Sequence, residues 1–311
     1  MSEESKPQRY ASWTAGKLPL PELAEMKRRG DKIVMVTAYD APSGRLADAA
    51  GVDLILVGDS SGMVVHGRES TVAVSLDEIL FMTQWVMRGA KRPIVIADMP
   101  FGSYEESDEQ AVRNAVRLVK EGGADAIKLE RGGTSIARAR AIVGAGIAVM
   151  GHVGLTPQTA TVLGGFKAQG RTAEQAQQLV EDARALEAAG CFSIVLEAVP
   201  PAVARAATEA LTVPTIGIGA GAETDGQVLV WHDMLGFYEG RSPRFVKRYA
   251  ELGEAVVEAL ERYAEEVRSG AFPEEKHTYG MPEEERAAFE GDSVERPVVP
   301  GEVSREHDQH R

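Results

Sequence analysis

Short apolar runs alternate with stretches of helical periodicity from residue 31 onward. There are eight such runs, each four or five residues long and rich in β-branched side chains. They are Ile33–Thr37, Leu54–Val57, Ile94–Ala97, Ala126–Leu129, Ile147–Met150, Ser193–Leu196, Thr215–Ile218 and Val228–Trp231. Continuous apolar runs are typical of parallel strands, which are buried on both faces and need crossover connections. The pattern therefore predicts an α/β fold with a parallel sheet.

The stretches between the runs carry the start signals of helices. A Ser or Thr precedes each of three amphipathic stretches, and a Glu or Gln follows it three residues later, which is the spacing of a capping box. The pairs are Ser75 with Glu78, Ser107 with Gln110, and Thr172 with Gln175. A longer terminal helix is predicted over Arg244–Arg268, after the last run.

Eight strand–helix units favour a closed (β/α)₈ TIM barrel over an open sheet. One connection does not fit this pattern, because only residues 219–227 separate the last two runs and a full crossover normally needs ten or more residues. Either that connection is degenerate or one of the two strands is misassigned. An open doubly wound sheet is the alternative, although no glycine-rich fingerprint follows the first strand.

The chain of 311 residues fits a single barrel of about 250 residues with extensions at both ends. Residues 1–16 are polar and irregular, and they predict a flexible arm. Residues 17–281 are assigned to the barrel. From residue 282 to 311 the chain is acidic and poor in large apolar residues, which predicts a disordered tail.

Composition narrows the function classes. A formal net charge of −13 argues against a nucleic-acid binder that works through bulk electrostatics. No run of about 18 apolar residues exists, so no membrane-spanning helix is expected. The N-terminus lacks the apolar segment of a secretory signal. The single cysteine, Cys191, excludes an internal disulfide, and together these features predict a cytoplasmic protein.

Candidate chemistry lies at the ends of the predicted strands, where barrels place their active sites. Six strands each end in an ionisable residue. These residues are Asp40, Asp59, Asp98, Glu130, His152 and Glu197. Any one of them alone is more simply a turn or helix-cap residue. Five carboxylates at one rim would repel one another unless they shared a cation.

The residue types favour Mg²⁺ for that cation. Oxygen ligands suit Mg²⁺, which binds through one or two carboxylates and keeps several waters. Asp59 and Asp98 are the first candidates for ligands, with Glu130 holding a bound water. A zinc site would need a His/Cys set, which the sequence supplies only weakly.

Lys128 lies two residues before Glu130 on the same predicted strand, so both side chains face the barrel interior. The lysine is at least an ion-pair partner, and it could supply a positive charge to a substrate carboxylate or enolate. A Schiff-base role stays open, although neighbouring acids favour the protonated amine.

Nine stretches of the chain together resemble the ketopantoate hydroxymethyltransferase family. They are TAYD (37–40), LVGDSSGM (56–63), ADMPF (97–101), IKLE (127–130), GHVGLTPQ (151–158), GGFKAQGR (164–171), LEAVP (196–200), IGIGAG (216–221) and DGQVLVWHD (225–233). They occur in the family's order. GHVGLTPQ and the VGDS-x-GM pattern are specific as a set, whereas GIGAG alone would be weak.

The resemblance implies a Mg²⁺-dependent (β/α)₈ barrel. Such an enzyme moves a one-carbon unit from 5,10-methylenetetrahydrofolate to 3-methyl-2-oxobutanoate through a Mg²⁺-stabilised enolate, giving 2-dehydropantoate for pantothenate biosynthesis. It also implies a homo-oligomer, specifically a decamer. Residue by residue, it marks Asp59 and Asp98 as metal ligands that also contact substrate, with Glu130 beside the metal. It marks Ser60, Lys128 and His152 as substrate contacts and Glu197 as the general base.

The resemblance adds Ser60, which strand-end reasoning does not find, and gives Asp40 no role. Two positions depart from the family's usual pattern, Ser61 and Arg131. Basic loop residues such as Lys167 or Arg171 could meet the acidic tail of folate.

Two alternatives remain at this point. One is another Mg²⁺-dependent, enolate-forming barrel lyase or mutase that needs no folate. The other is a non-catalytic barrel, which the complete acid–lysine–histidine set disfavours because a pure binder needs no base.

Overall fold

Eight parallel strands close into one barrel in chain order in the computed structural model, which describes residues 16–130, 134–237 and 243–291. The strands are β1 Ile33–Thr37, β2 Leu54–Val57, β3 Ile94–Asp98, β4 Ala126–Lys128, β5 Val149–Gly154, β6 Ser193–Glu197, β7 Thr215–Ile218 and β8 Gly226–Leu229. Strand β8 pairs with β1 in parallel and closes the ring. The predicted (β/α)₈ barrel is confirmed.

Eleven α-helices occur in the described residues. They are α1 Glu22–Arg29, α2 Ala41–Ala49, α3 Ser61–Val64, α4 Leu76–Gly89, α5 Asp108–Lys120, α6 Ser135–Gly144, α7 Ala173–Ala188, α8 Pro201–Ala210, α9 Trp231–Met234, α10 Leu252–Ser269 and α11 Glu283–Gly291. Short 3₁₀ turns cover Pro157–Thr159 and Glu275–His277. None of these helices combines the length and the apolar character needed to cross a membrane.

The strand pattern follows from burial on two sides. In β2, Leu54 and Leu56 belong to the apolar cluster inside the barrel, while Ile55 and Val57 belong to the larger cluster that includes helix residues. Successive side chains on a strand point to opposite faces. Both faces are apolar here, which explains why the strands appear in the sequence as unbroken apolar runs.

Two strands lie two residues away from their predicted positions. Strand β5 covers Val149–Gly154 rather than 147–150, because its pairing with β6 continues to the Gly154–Glu197 pair. Strand β8 begins at Gly226 rather than Val228, because Gly226 pairs with both Ile33 and Ile216. A Cβ at Gly226 would lie 2.5 Å from the Ile33 carbonyl oxygen, so the close approach of the strands requires glycine there.

The short connection between β7 and β8 is therefore degenerate, and both strands exist. Residues 219–225 link them without a helix. Glycines with left-handed backbone angles turn the chain at Gly219 (φ 65°) and Gly221 (φ 82°). The open-sheet alternative is wrong, because β8 is hydrogen-bonded to a strand on each side.

The predicted helix starts are confirmed by the cap contacts. Ser75 and Glu78 form a capping box at α4 with both halves present. At α5 and α7 the caps Ser107 and Thr172 accept a hydrogen bond from the backbone N–H three residues later. The terminal helix, α10, starts at Leu252 rather than Arg244. The backbone N–H groups of Tyr249 and Leu252 donate to the carbonyl oxygens of Met234 and Leu235. The chain before Leu252 therefore packs against the end of α9 and does not form a helix.

Helix α1 occupies the N-terminal end of the barrel. Leu23 of α1 packs in the interior cluster. Lys27 Nζ donates to Asp225 Oδ2 at 3.0 Å and to the carbonyl oxygens of Thr208 and Val213 at 2.9 and 3.1 Å. One lysine thereby meets one carboxylate and two carbonyls, which satisfies all three of its donors.

The chain divides into two compact units, residues 1–254 and residues 255–311. Within the second unit, Phe272 contacts the rings of Tyr263 and His277. The predicted disordered tail begins at residue 282, but Glu283–Gly291 forms the helix α11. Its three leading glutamates suit a helix N-terminus, and Arg286 pairs with Glu283 at 2.7 Å. The rest of that tail, residues 292–311, and nearly all of the predicted arm, residues 1–15, lie outside the described residues.

The Glu78 carboxylate links the α4 cap to Arg68, which donates to it through Nη1 at 3.1 Å and also through Nη2. These hydrogen bonds from Arg68, with smaller contributions from Ser75, lower the pKa of Glu78 to about 2. A group with a depressed folded-state pKa stabilises the fold above its unfolded pKa and loses that effect as pH falls through the folded value.

We therefore expect Glu78→Ala to reduce the free energy of unfolding at pH 7 by about 1–2 kcal/mol. The difference from the wild type should shrink as pH falls from about 4.5 towards 2, because the carboxylate protonates. Unfolding followed by circular dichroism across this pH range measures both effects. Glu174→Ala, in the first turn of α7, is the matched control. An identical pH dependence for the two variants would contradict the assignment.

Candidate active site

A cavity of about 830 Å³ opens at the C-terminal ends of the strands. Six ionisable side chains from five consecutive strand ends line it. They are Asp59, Asp98, Lys128, Glu130, His152 and Glu197. The parallel register brings them together, because Asp98 pairs with Lys128 across β3 and β4, and Gly154 pairs with Glu197 across β5 and β6. Five of the six predicted rim residues therefore meet in one cavity with the predicted lysine.

The sixth predicted rim residue, Asp40, is the exception. Its carboxylate caps α2 by accepting a hydrogen bond from the backbone N–H of Ser43 at 2.7 Å. The side chain is exposed and is not among the cavity-lining residues of the described chain. Asp40 is a helix cap, which is the ordinary role of an aspartate after a strand.

Asp59 and Asp98 are nearly inaccessible to water, with 4% and 1% of their surfaces exposed. The backbone N–H of Asp59 lies 3.4 Å from Asp98 Oδ2. Burial raises the pKa of both carboxyls above the usual range, and the charges of Asp98 and Glu130 raise that of Asp59 further. Two buried acids side by side are electrostatically unfavourable unless a positive charge joins them.

Lys128 supplies part of that charge. Its Nζ lies 2.7 Å from Asp98 Oδ1 and 3.9 Å from Glu130 Oε1. Burial alone would lower the pKa of Lys128, but Asp98, Glu130 and Asp59 outweigh it and raise the pKa above its usual value. The amine is therefore a permanent cation at neutral pH, which disfavours the Schiff-base role because that role needs a neutral nucleophile.

His152 lies between two glutamates. Its Nδ1 is 3.4 Å from Glu130 Oε1, and its Nε2 is 3.3 Å from Glu197 Oε2. Burial would lower the pKa of His152, but the adjacent carboxylates of Glu130 and Glu197 raise it to about 9. The two carboxylates therefore favour the protonated ring at neutral pH. The pKa of Glu130 is lowered despite its burial, mainly by His152 and Lys128.

The donor set fits a hard divalent cation held by few protein ligands. The described residues contain no group of three His, Cys, Asp or Glu side chains that could hold a metal by themselves. Mg²⁺ does not need such a group, because it binds through one or two carboxylates and completes its shell with water and substrate oxygens. Asp59 and Asp98 are the pair that would hold it. Glu130 faces His152 and Gln158 here, so its place beside a metal stays a prediction.

Ser60 also lines the cavity, and its Oγ lies 2.9 Å from the hydroxyl of Tyr39. Gln158 and Tyr104 join the site from behind the carboxylates, and strand-end reasoning misses them. The sequence does contain a signal for Gln158, because it is the last residue of the GHVGLTPQ motif. Of the two departures from the family pattern, Ser61 is buried in α3, and Arg131 lies outside the described residues.

Residues outside the strand ends also line the cavity, and most of them are apolar or basic. Among them are Phe166, Lys167, Arg244 and Phe245. Lys167 was one of two basic loop residues singled out in the sequence. The other, Arg171, is not among the lining residues of the described chain.

Comparison with known proteins points to one family. The family model described as ketopantoate hydroxymethyltransferase matches residues 17–275. A protein of Heliobacterium modesticaldum named 3-methyl-2-oxobutanoate hydroxymethyltransferase is 54% identical over 88% of this chain and 100% of its own. One of the same name from Moorella thermoacetica is 56% identical over 85% of this chain and 98% of its own.

Solved structures that match the barrel are far more distant in sequence. A phosphonopyruvate hydrolase superposes with a TM-score of 0.55 at 16% identity, covering 88% of this chain and 95% of its own. A 2,3-dimethylmalate lyase superposes with a TM-score of 0.53 at 18% identity, covering 88% of this chain and 98% of its own. At such identities the likeness shows the fold alone.

The charge balance of the cavity predicts a measurable stability effect. Lys128→Met should lower the free energy of unfolding by about 3–5 kcal/mol, because it leaves buried carboxylates uncompensated. The double variant Lys128→Met/Asp98→Asn should regain part of that loss, since it removes one of the unpaired charges. Urea unfolding with EDTA in every sample, so that no metal replaces the lysine, makes the measurement. A double variant no more stable than Lys128→Met would show that the two groups do not compensate each other.

Proposed function

The chain belongs to the ketopantoate hydroxymethyltransferase family, and from this we propose that it transfers a one-carbon unit from 5,10-methylenetetrahydrofolate to 3-methyl-2-oxobutanoate. The product would be 2-dehydropantoate. The observation that carries the proposal is the cavity itself, in which two buried aspartates and a buried lysine share the rim with a glutamate that lies 3.3 Å from His152. That set suits removal of a proton next to a carbonyl group.

Asp59 and Asp98 would hold Mg²⁺, and Ser60 and Lys128 would contact the 2-oxo acid. The chemistry that a bound Mg²⁺ supplies is Lewis acidity towards the keto and carboxylate oxygens of the substrate. Lys128 would contribute a fixed positive charge from a position that is 4% exposed, and charges interact strongly when buried.

Glu197 is the residue best suited to remove the C3 proton. Its side chain is 16% exposed and lies at the end of β6, so it faces the cavity while the other site carboxylates are buried. In the step proposed, the C3–H bond breaks, the proton goes to Glu197 and the electron pair delocalises into the enolate. His152 is less suited to take that proton, because the adjacent carboxylates of Glu130 and Glu197 favour its protonated form. Its place beside Glu197 suits a role in positioning that carboxylate.

Water would cleave the methylene carbon from the two folate nitrogens, which leaves tetrahydrofolate and formaldehyde. The enolate carbon would then attack the formaldehyde carbon, and the resulting alkoxide would take up a proton to give the hydroxymethyl group. The size of the cavity supports a second ligand. Pockets of roughly 300–1,000 Å³ hold drug-sized ligands, and a five-carbon oxo acid occupies only part of about 830 Å³. The apolar wall at Phe166 and Phe245 suits the ring system of a folate, and Lys167 suits its acidic tail.

Hydrogen exchange without folate tests the proton step by itself. In D₂O with Mg²⁺, the wild-type protein should exchange the C3 hydrogen of 3-methyl-2-oxobutanoate, and EDTA should stop the exchange. Glu197→Gln should slow the exchange by roughly 10²–10⁴-fold, the range for loss of a general base, while substrate binding stays similar. Loss of the C3 proton signal in NMR measures the rate.

Glu223→Gln is the matched control, since it neutralises an exposed glutamate that pairs with Arg205. Exchange at the wild-type rate in Glu197→Gln would assign the base to another group. Full exchange by thoroughly chelated protein would contradict the metal role of Asp59 and Asp98.

The folate assignment has its own test. Lys167→Gln should raise the KM for a folate with its glutamate tail by roughly 2–5-fold, the effect of one solvent-screened charge pair. It should leave the folate-free exchange rate unchanged. Arg171→Gln, on the same loop but off the cavity, is the control. Equal effects of both variants, or an equal effect with a folate lacking the tail, would contradict contact between Lys167 and the tail.

A further inference from the structure

Gln158 contacts three neighbouring strand ends from one buried position. It lies in the 3₁₀ turn that follows β5, and 4% of its surface is exposed. Its side-chain Nε2 donates to Asp59 Oδ2 and to the carbonyl oxygen of Met99, both at 2.9 Å. Its backbone N–H donates to Glu130 Oε2 at 3.0 Å. A single residue thereby joins groups that follow β2, β3 and β4.

The orientation of the Gln158 amide is fixed by its partners. The carbonyl of Met99 can only accept a hydrogen bond, so the nitrogen end of the amide must face it. The oxygen end then faces Tyr104, whose hydroxyl donates to Gln158 Oε1 at 2.6 Å. Burial raises the pKa of Tyr104 well above its usual value, so this hydroxyl stays protonated and remains a donor.

This arrangement places a neutral donor where a charged one would interfere. A lysine or arginine at Gln158 would add positive charge beside the aspartate pair and compete with a cation for it. A carboxylate there would repel Asp59. An amide binds one oxygen of Asp59 without changing the charge of the site, which leaves Oδ1 as the oxygen available for a cation.

Gln158 is not among the residues that line the cavity in the described chain. It therefore acts on the site only through the groups that it holds. Hydrogen-bond partners behind metal ligands fix the ligands' orientation, and their loss typically costs 10–100-fold in metal affinity or activity.

We propose that Gln158 is a positioning residue that orients the Asp59 carboxylate towards the cation site, and that Tyr104 holds Gln158 in that orientation. The inference rests on the proposed function, since it concerns the cation that Asp59 and Asp98 would bind. It adds two residues, Gln158 and Tyr104, to the set that determines how tightly the cation is held.

Mn²⁺ binding to the full-length protein, without substrate, tests the inference. Free Mn²⁺ measured by electron paramagnetic resonance gives the dissociation constant. Gln158→Met keeps the side-chain volume and the backbone contact with Glu130 but removes the amide. We expect it to weaken Mn²⁺ binding by roughly 10–100-fold. Tyr104→Phe should weaken binding less and in the same direction.

The double variant Tyr104→Phe/Gln158→Met should bind Mn²⁺ no more weakly than Gln158→Met alone, because Tyr104 acts only through Gln158. Thr159→Val is the control. It removes a hydroxyl in the same turn that contacts Thr156 and no carboxylate. Melting temperatures show whether a variant is generally destabilised. General destabilisation would lower the fraction of folded protein and the amount of Mn²⁺ bound, but not the affinity of the folded fraction for Mn²⁺.

Three outcomes would overturn the inference. Wild-type affinity in folded Gln158→Met or Tyr104→Phe would show that the amide does not orient Asp59. Equal weakening by Thr159→Val would show a general effect of the turn. A wild-type protein that binds no Mn²⁺ would overturn the proposed metal site itself, together with this inference. The first two results would leave the proposed transferase function intact, so the two failures are distinguishable.

Discussion

The end of the barrel that carries the site depends on one constraint, which is that buried charges must compensate one another. Asp98, Lys128, Glu130 and His152 are all almost wholly buried, and each would be costly alone. They are tolerated because each lies within 4 Å of an opposite charge. The parallel strand register makes this possible, since it sets one ionisable side chain beside the next around the rim.

The two ends of the barrel handle buried charge differently. At the N-terminal end, Lys27 meets Asp225 and two carbonyl oxygens, so its donors are all used. Asp225 in turn accepts from Lys27 and from Thr215 through both its N–H and its hydroxyl. Each donor of Lys27 has an acceptor in this network, so the network stabilises the fold and offers no free Lys27 donor to a ligand. At the C-terminal end, four acids stand against two cationic groups among the six strand-end side chains of the cavity. The strand ends there have charge left to bind a ligand, whereas the N-terminal end supports the fold.

Much of the fold could be predicted from the sequence because the strands are buried on both faces and therefore appear as unbroken apolar runs. The misplaced strands were those where that signal fails. Strand β5 continues through Gly151 and His152, and β8 begins at Gly226, and none of these residues resembles a strand former. Their positions are set by the neighbouring strands, so pairing rather than local preference decides them. Helix α11 was not predicted because none of its residues is buried, so no apolar face marks it in the sequence.

The strand ends predicted which residues lie near the rim of the barrel, but not which way each side chain points. Asp40 and Asp59 both follow a strand, and nothing local separates them, yet one caps a helix and the other lies in the cavity. Ser60 needed the family resemblance. Gln158 and Tyr104 could not be deduced from spacing, since Gln158 contacts a residue 99 positions away and another 54 positions away. Contacts of that kind exist only once the barrel has closed.

The charges that line the cavity are not spread evenly, and this has a consequence for how ligands would lie in it. The strand ends contribute four carboxylates and only two cationic groups, Lys128 and His152. The loops and helix α9 contribute three more cations, Arg68, Lys167 and Arg244, against one further carboxylate, Asp233. An anionic group is therefore attracted most strongly towards the loops, and a cation towards the strand ends. Two ligands of opposite charge would thus be sorted between the two parts of one cavity.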